Sequence, residues 1–249
     1  GPTVQGVPKA RAEEMAMEKL NLIGLAGLER RAPSELSGGQ QQRVAVARAL
    51  VLEPQVLLFD EPLSNLDAKL RRRVREDIRE LQQRLNLTVA YVTHDQEEAL
   101  AVSDRIIVMS NARIAQVGTP HELYEEPTSL FVADFIGEAN MVDGELGDII
   151  GARATVRLGE ATLDVPHRGA KPGKVKVAIR PDAILIDGGR GALPAKVLKS
   201  SYLGKVREYT LATSIGELFV AAPGRSVPHA VGEEVKLGFA ESGLVVLPG

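Results

Sequence analysis

The apolar positions of residues 1–137 change their period several times along the chain. A long amphipathic helix is predicted where they recur at helical spacing, at Leu70, Val74, Ile78, Leu81 and Leu85. Short unbroken apolar runs, typical of strands buried on both faces, stand between the helical stretches. Helices are predicted over residues 8–21, 38–52, 70–85, 96–102, 120–124 and 128–136, and strands over 56–59, 88–92, 105–109 and 114–117. This alternation of helices and strands indicates an α/β domain.

From residue 140 onward the pattern changes to short apolar alternations that Gly and Pro interrupt. Nine strands are predicted, over residues 154–158, 161–165, 175–179, 183–186, 195–198, 208–212, 218–221, 234–239 and 244–247. Short strands at this spacing are typical of a small barrel or sandwich. We therefore predict two domains: an α/β domain over residues 1–137 and an all-β domain over residues 138–249.

Composition narrows the chemistry that the chain can carry. It has no Cys, which excludes thiolate zinc sites, iron–sulfur ligation and a cysteine nucleophile. Its 30 Lys and Arg stand against 33 Asp and Glu, and a net charge of -3 disfavours a broad surface for nucleic acid. The Arg-rich stretch 69–84 pairs basic with acidic residues at helical spacing, which predicts a solvated helix face rather than a nucleic-acid contact. The predicted pairs are Arg72/Glu76, Arg73/Asp77 and Glu80/Arg84.

The segment Leu36-Ser37-Gly38-Gly39-Gln40 is the first candidate for chemistry. Ser37 suits a helix N-cap, and the two Gly residues leave backbone N–H groups and the positive end of a helix dipole open. A phosphate group would fit such an end. For these residues alone, an ordinary Ser-capped helix after a turn is the alternative.

Two carboxylates and a histidine follow the predicted strands of the first half. Asp60 and Glu61 come after the strand over 56–59, and His94 comes after the strand over 88–92. If these strands are neighbours, the three side chains share the carboxyl edge of a sheet, where α/β proteins form ligand sites. An Asp there can hold Mg²⁺ through water, and an adjacent Glu can orient a water in phosphoryl transfer. Taken singly, an acidic turn and a surface histidine are the alternatives.

These motifs together resemble the ATPase subunits of ABC transporters across residues 1–137. The segment 36–40 matches the signature sequence of that family, and the segment 56–61 matches its Walker B strand. Ser64-Asn65-Leu66-Asp67 matches its D-loop, and Thr93-His94-Asp95 contains its switch histidine. The resemblance implies part of a P-loop NTPase domain of the ABC type, with ATP and Mg²⁺ as cofactors.

The resemblance also implies a role for each matched residue. The nucleotide-binding residues would be Ser37, Gly38, Gly39 and Gln40. Of these, Ser37, Gly39 and Gln40 would touch the γ-phosphate of ATP held mainly by the opposite subunit of a homodimer. Asp60 would serve the magnesium ion through water. Glu61 would act on the hydrolytic water, and His94 on the γ-phosphate and the position of that water. The D-loop residues would be Asn65 and Asp67, of which Asp67 would communicate across the dimer.

The all-β half resembles the TOBE domain, an OB-like barrel appended to importer ATPases of the maltose, polyamine and ferric-iron type. The residues that carry this resemblance are Ala178–Asp182, Tyr202-Leu203-Gly204 and Glu208-Tyr209. It implies a cytoplasmic subunit, peripheral on the inner face of the cell membrane, that drives solute uptake. Its partners would be integral membrane permease subunits and, indirectly, an extracellular solute-binding protein, with ferric iron, polyamine or phosphonate as the solute. We expect no nucleic-acid partner.

One part of the ABC pattern does not occur in these residues. The phosphate-binding motif G-x-x-x-x-G-K-[ST] is absent, and Gly173-Lys174-Val175 and Gly204-Lys205-Val206 supply no more than a Gly-Lys pair. We therefore expect this chain to be the C-terminal part of a longer ATPase, truncated before the signature motif, and to be inactive alone. The alternative functions are a small-ligand or regulatory binding module of the TOBE type, and a non-transport ABC protein that acts on DNA or ribosomes.

Overall fold

A computed structural model describes residues 1–64 and 66–248, which separate into two compact units, residues 1–104 and 105–249. The elements of the first unit are α1 (Lys9–Leu22), α2 (Gly38–Leu50), β1 (Val56–Asp60), α3 (Ala68–Leu85), β2 (Thr88–Val92) and α4 (Gln96–Val102). Each lies within two residues of its predicted bounds. Among the described residues, no helix combines the length and apolar character needed to cross a bilayer.

In the first unit, β1 and β2 form a two-stranded parallel sheet with Val56 opposite Thr88 and Asp60 opposite Val92. One face of this sheet packs on α2 and α3 through Leu57 and its neighbours. The prediction that β1 is buried on both faces is wrong, because Leu58 on the other face is 70% exposed. The apolar run indicates a strand correctly, but in the described residues the helices cover only one of its two faces.

Helix α3 follows its predicted amphipathic pattern, with Val74, Ile78 and Leu81 buried. Of the three predicted pairs on its polar face, Arg72 bonds Glu76 at 3.0 Å. The other two are replaced by contacts with neighbouring segments. Asp77 pairs with Arg43 of α2 at 3.1 Å, and Arg84 donates to the carbonyl of Leu22 at 2.7 Å. Contacts distant in sequence therefore replace the local pairs where a partner helix lies within reach.

The second unit begins with a hairpin and two short helices. Its elements are β3 (Ile106–Ser110), β4 (Arg113–Gly118), α5 (Pro120–Glu125), α6 (Leu130–Phe135), β5 (Asn140–Ile150), β6 (Arg153–Leu158), β7 (Ala161–Pro166), β8 (Gly173–Ile179), β9 (Ile184–Ile186), β10 (Arg190–Tyr202), β11 (Val206–Thr213), β12 (Gly216–Pro223), β13 (Glu234–Phe239) and β14 (Leu244–Pro248). All nine strands predicted after residue 140 are present, and β5 is an additional one. Gly144 interrupts the apolar alternation of β5. A Cβ at this position would lie 2.9 Å from Leu158, so close packing requires a glycine where the alternating pattern would have a side chain.

The strands after residue 140 form two five-stranded sheets, in the orders β12-β11-β10-β13-β9 and β14-β8-β5-β6-β7. Side chains from both sheets meet in one core that includes Val177, Leu211 and Phe239. Asn140 bridges the sheets, since its side chain donates to the carbonyl of Phe219 at 2.8 Å and accepts its N–H at 2.6 Å. The two sheets are half-barrels, as the predicted OB-like TOBE fold requires.

Arg180 connects the short helices to these sheets within the second unit. Its side chain is 3% exposed and donates to the carbonyls of Tyr124, Ala133 and Glu138 at 2.6, 2.7 and 2.9 Å. The guanidinium also lies 4.1 Å from the centre of the Tyr124 ring. These contacts place α5 and α6 in the same compact unit as the sheets. The domain boundary at residues 137/138 follows the sequence pattern and stays a prediction.

Candidate functional site

Asp60 and Glu61 lie at the carboxyl edge of the β1–β2 sheet. The register places Val56, Leu58 and Asp60 on the face that is exposed. The side chain of Asp60 forms no hydrogen bond or ion pair within the described residues, so its carboxylate is available to a ligand. The parallel pairing of β1 with β2 confirms the arrangement on which the predicted site depends.

Glu61 has a backbone conformation that side chains other than glycine rarely adopt. Its φ angle is 45°, in the left-handed region. Hydrogen bonds hold it there: its N–H donates to the carbonyl of Val92 at 2.9 Å, and its carbonyl accepts the hydroxyl of Ser64 at 3.1 Å. Such fixed, uncommon conformations are concentrated at functional sites. The chain thus leaves β1 by a turn that sets the direction of the Glu61 side chain.

His94 and Glu61 are in direct contact. Nδ1 of His94 lies 3.1 Å from Oε1 of Glu61, and both side chains are open to solvent. Because a carboxylate can only accept, this is a hydrogen bond when Nδ1 carries the proton. Nε2 of the neutral ring is then an acceptor that faces away from Glu61. The pair combines a proton acceptor with an orienting imidazole, which is the combination that the predicted action on a water molecule requires.

A buried carboxylate behind His94 has no part in the predicted site. Glu98 is 3% exposed and accepts the hydroxyl groups of Tyr91 and Thr93. Burial, followed by the charge of Glu98, raises the pKa of Tyr91 well above its usual range, so the phenol stays a donor. The sequence holds a weak signal for this role, since Glu98 is the third residue after Asp95, the N-cap of α4.

The segment 37–40 forms a helix start with a capping box. Ser37 accepts the N–H of Gln40 at 3.4 Å, and the side chain of Gln40 accepts the N–H of Ser37 at 2.9 Å. The N–H groups of Gly38 and Gly39 have no intrahelical acceptor at this position, and the hydroxyl proton of Ser37 is not used by the box. These donors suit an anion. The oxygen of Gln40 is engaged, which leaves its amide NH₂ for a ligand.

Asp67, a predicted D-loop residue, is the N-cap of α3. Its carboxylate accepts the N–H groups of Lys69 and Leu70 at 3.1 and 3.0 Å. Leu70 also closes the packing against α2, because a Cβ at Gly39 would lie 2.8 Å from its side chain. The segment 37–40 therefore packs on the first turn of α3, directly after Asp67. The predicted D-loop residue Asn65 lies outside the described residues.

The described residues fit ATP and Mg²⁺ in a limited sense. They contain no group of three or more side chains that could form a metal cage. Mg²⁺ commonly binds through one or two carboxylates, waters and substrate phosphates, and the unpartnered Asp60 can supply one such contact. The N–H groups of Gly38 and Gly39 have no acceptor within the helix, and that of Gly38, which is exposed, fits a phosphate oxygen.

The predicted site residues form two groups within the first unit. Asp60, Glu61 and His94 share the edge of the sheet, and Glu61 contacts His94 directly. The segment 37–40 lies beside Leu66 and Leu70 at the start of α3. In the described residues, no hydrogen bond or ion pair joins the segment 37–40 to Glu61 or His94.

Comparison with known proteins defines the class. The family model for the ABC transporter matches residues 3–64, a range that contains the segment 37–40, Asp60 and Glu61. The model for the TOBE domain matches residues 177–247. His94 and Asp67 lie outside both matches. An ABC transporter domain followed by a TOBE domain is the architecture of an importer-type ABC ATPase.

Individual relatives agree over nearly the whole chain. The Fe(3+) ions import ATP-binding protein FbpC of Rhizobium etli is 56% identical over 245 residues, which cover 97% of this chain and 69% of the relative. FbpC 1 of Rhizobium meliloti is 54% identical over 245 residues, covering 98% and 69%, and FbpC of Vibrio cholerae is 45% identical over 247 residues, covering 97% and 69%. The chain belongs to this family of importer ATP-binding proteins.

Among solved structures, the chain is similar to cbiO1 from Clostridium perfringens, described as part of the ABC transporter complex cbiONQ. The sequence identity is 32%, the TM-score is 0.44, and the match covers 48% of each chain.

Proposed function

We propose that this chain works in ATP hydrolysis that drives the import of ferric ions. The observation that carries the proposal is the contact between Glu61 and His94 at the sheet edge, with the unpartnered Asp60 beside it. The relatives named as Fe(3+) import proteins support ferric iron as the solute.

Each residue of the sheet edge has a separate task in this proposal. Glu61 accepts a proton from a water molecule, and His94 holds Glu61 in one orientation through Nδ1. Asp60 holds Mg²⁺ through water. ATP with Mg²⁺ supplies the phosphoryl group whose transfer to water releases free energy. The left-handed backbone at Glu61 directs the carboxylate out of the sheet edge, where a water can reach it.

The segment 37–40 contributes from the opposite side of a homodimer. The free N–H groups of Gly38 and Gly39 and the hydroxyl of Ser37 donate to the terminal phosphate of a nucleotide bound mainly by the second copy. The lack of a hydrogen bond or ion pair between the segment 37–40 and Glu61 or His94 within the described residues of one copy supports this arrangement. Asp67 lies between Glu61 and His94 in the sequence. It stands at the start of α3, the helix on which the segment 37–40 packs.

The proposed setting follows from the class of protein. The subunit is cytoplasmic and lies on the inner face of the cell membrane, against integral membrane permease subunits. An extracellular solute-binding protein delivers the ferric ion to that permease. The relatives are named as import ATP-binding proteins, which supports this setting for them. We extend the same setting to this chain.

The test is a chimera in which these 249 residues replace the matching 245-residue region of the Rhizobium etli relative. We expect magnesium-dependent ATP turnover in the chimera. Glu61→Gln should lower kcat by about 10²- to 10⁴-fold, the usual contribution of a general base. The control Glu80→Gln removes an exposed carboxylate of α3 and should leave kcat unchanged. Equal turnover of the unaltered and Glu61→Gln chimeras would contradict the proposal.

The 249-residue chain is the second arm of the same experiment. Without a G-x-x-x-x-G-K-[ST] loop, we expect it to show no turnover by itself. Turnover by this chain that disappears in Glu61→Gln would retain the catalytic role of Glu61 and refute the expected inactivity.

A further inference from the structure

A network of half-buried polar groups around the buried Glu98 fixes the residues on both sides of His94. The hydroxyl of Thr93 donates to Oε2 of Glu98 at 2.9 Å and accepts the N–H of Asp95 at 2.9 Å. Asp95 in turn accepts the N–H of Glu98 at 3.1 Å, and the hydroxyl of Tyr91 reaches the same Oε2 at 3.1 Å. Thr93, before His94, is thus bound to the buried carboxylate of Glu98, and Asp95, after it, is bound to Thr93 and to the backbone N–H of Glu98, although His94 itself is exposed.

Arg71 connects this network to the segment before α3. Its Nη1 lies 3.3 Å from Oδ2 of Asp95, and its Nη2 donates to the carbonyl of Leu66 at 3.2 Å. Its Nε lies 3.8 Å from Oε1 of Glu98 and has no hydrogen-bond partner among the described residues, although it is buried. A planar guanidinium offers several donors in fixed directions, which a single ammonium cannot do.

The two sides of this bridge belong to different parts of the candidate site. Leu66 is next to Asp67 in the D-loop, and Thr93 and Asp95 flank His94. A displacement of the carbonyl of Leu66 changes one contact of Arg71, and the remaining contacts carry the change to Asp95 and Glu98. The gap of 3.8 Å between Nε and Glu98 leaves room for a charge-assisted hydrogen bond to form when Arg71 moves.

We infer that Arg71 and Glu98 are positioning residues, which hold His94 against Glu61 and transmit displacement of the segment before α3 to that contact. The inference deepens the proposed function and depends on it for its catalytic meaning. The structural part of the inference concerns one contact, between Nδ1 of His94 and Oε1 of Glu61, and can be tested without nucleotide.

The measurement is the tautomer of the neutral His94 ring, read from ¹⁵N spectra of the histidine-labelled 249-residue chain. The contact with Glu61 requires the proton on Nδ1, so the wild-type chain should favour the Nδ1–H form. Glu61→Ala removes the acceptor and shows the spectrum of an unheld ring. Resonances are assigned with His94→Gln.

Arg71→Met and Thr93→Val each break one link of the network and should move His94 toward the unheld ring. The ratio of the two tautomers should change by roughly 5- to 30-fold, as the loss of one or two hydrogen bonds allows. Arg71→Lys keeps the charge but lacks the fork, and should show an intermediate ratio. Thr93→Ser keeps the hydroxyl and should restore the wild-type ratio.

Glu98→Gln separates the two halves of the network. The amide oxygen can still accept Tyr91 and Thr93, but the attraction to Arg71 is lost, so a smaller shift in the same direction is expected. Arg72→Met is the matched control, because Arg72 is the next residue of the same helix and, among the residues that the structure describes, pairs only with the exposed Glu76. It should leave the tautomer ratio unchanged.

A wild-type tautomer ratio in folded Arg71→Met and Thr93→Val would overturn the inference, and so would an equal shift in Arg72→Met. In the chimera described above, Arg71→Met should lower kcat by roughly 5- to 30-fold and leave KM for ATP within about twofold. If the unaltered chimera does not hydrolyse ATP, the proposed function fails, and the tautomer measurement still decides whether Arg71 positions His94.

Discussion

Strands β1 and β6 show how differently the two units use apolar residues. β6 alternates polar and apolar residues, and each apolar side chain enters the core between the two sheets. β1 is apolar at four consecutive positions, yet Val56 and Leu58 are exposed and Leu57 is buried. In the second unit the sheets cover each other. In the first unit two helices cover one face, and the candidate site lies at the edge of a sheet whose other face is open.

The difference also separates stability from chemistry. The second unit buries its polar groups in fixed structural contacts, as at Arg180 and Asn140. The first unit keeps Asp60, Glu61 and His94 accessible and buries a supporting network behind them. We expect substitutions in the second unit to change mainly the free energy of unfolding, and substitutions at the sheet edge to change mainly the chemistry.

The largest expected effect comes from the same substitution made in both units. Leu211, in β11, is fully buried, and Leu211→Ala should lower the free energy of unfolding by about 2–5 kcal/mol through lost burial and a cavity. Leu58→Ala should change it by less than about 0.5 kcal/mol, because the side chain is mostly exposed. Urea unfolding monitored by circular dichroism measures both values. Similar losses in the two variants would break the comparison and show that the open face of β1 is covered in solution.

A second large effect is expected from the buried guanidinium of the second unit. Arg180→Met should lower the free energy of unfolding by about 2–3 kcal/mol, since three carbonyl groups lose a charged donor. The control Arg113→Met removes an exposed arginine of β4. Urea unfolding should place this control within about 0.5 kcal/mol of wild type. An equally small effect of Arg180→Met would mean that Arg180 does not hold α5 and α6 to the sheets.

A moderate effect is expected at Asp67 in the first unit. Asp67→Ala should lower the stability of α3 by about 1 kcal/mol, the usual cost of losing an N-cap. Asp67→Asn should keep the cap and the stability, because Asn caps helices as well as Asp does. Unfolding of the 249-residue chain measures this structural role. Turnover of the Asp67→Asn chimera then measures what the charge adds, separately from the cap.

The smallest effect concerns the capping box of α2 in the first unit and that of α5 in the second unit. Glu122 closes the box of α5, and hydrogen bonds from Thr119, first that of its backbone N–H, lower the pKa of this carboxyl. A carboxyl whose pKa is lower in the folded than in the unfolded state stabilises the fold at pH values above its unfolded-state pKa. This contribution is lost as the pH falls through the folded-state pKa. Unfolding measured from pH 6 to pH 3 should therefore lose less stability in Glu122→Gln than in wild type.

The matched box in the first unit has no charge to titrate. Gln40 occupies the position that Glu122 occupies in α5, so Gln40→Glu should introduce a dependence on pH that wild type lacks at this helix. Identical pH profiles of Glu122→Gln and wild type would show that the box of α5 does not titrate with folding.

Many helices and strands can be predicted from local sequence patterns, because apolar spacing and helix capping act between residues that are close in sequence. The apolar spacing of Val74, Ile78 and Leu81 and the cap at Ser37 predict helices that the structure confirms. The strand β5 escapes prediction because Gly144 serves close packing, which leaves no apolar signal. The pairs Arg73/Asp77 and Glu80/Arg84 fail because Arg43 and the carbonyl of Leu22 are distant in sequence and near in space.

The candidate site divides in the same way. Asp60, Glu61 and His94 are recognisable from their places after two apolar strands, and the parallel pairing of those strands is what the prediction needed. Arg71 and Glu98 carry no motif, since their contacts arise only when α3, α4 and the end of β2 meet.

The sequence by itself determined the class of protein, the order of the elements and the residue types at the sheet edge, because motif spacing, capping and apolar periodicity act over a few neighbouring residues. Tertiary structure alone decided which face of β1 is covered, that Glu61 contacts His94 at 3.1 Å, and that the buried Glu98 binds the residues on both sides of that histidine. These depend on which segments, distant along the chain, come within hydrogen-bonding distance, and that is set by the packing of whole elements.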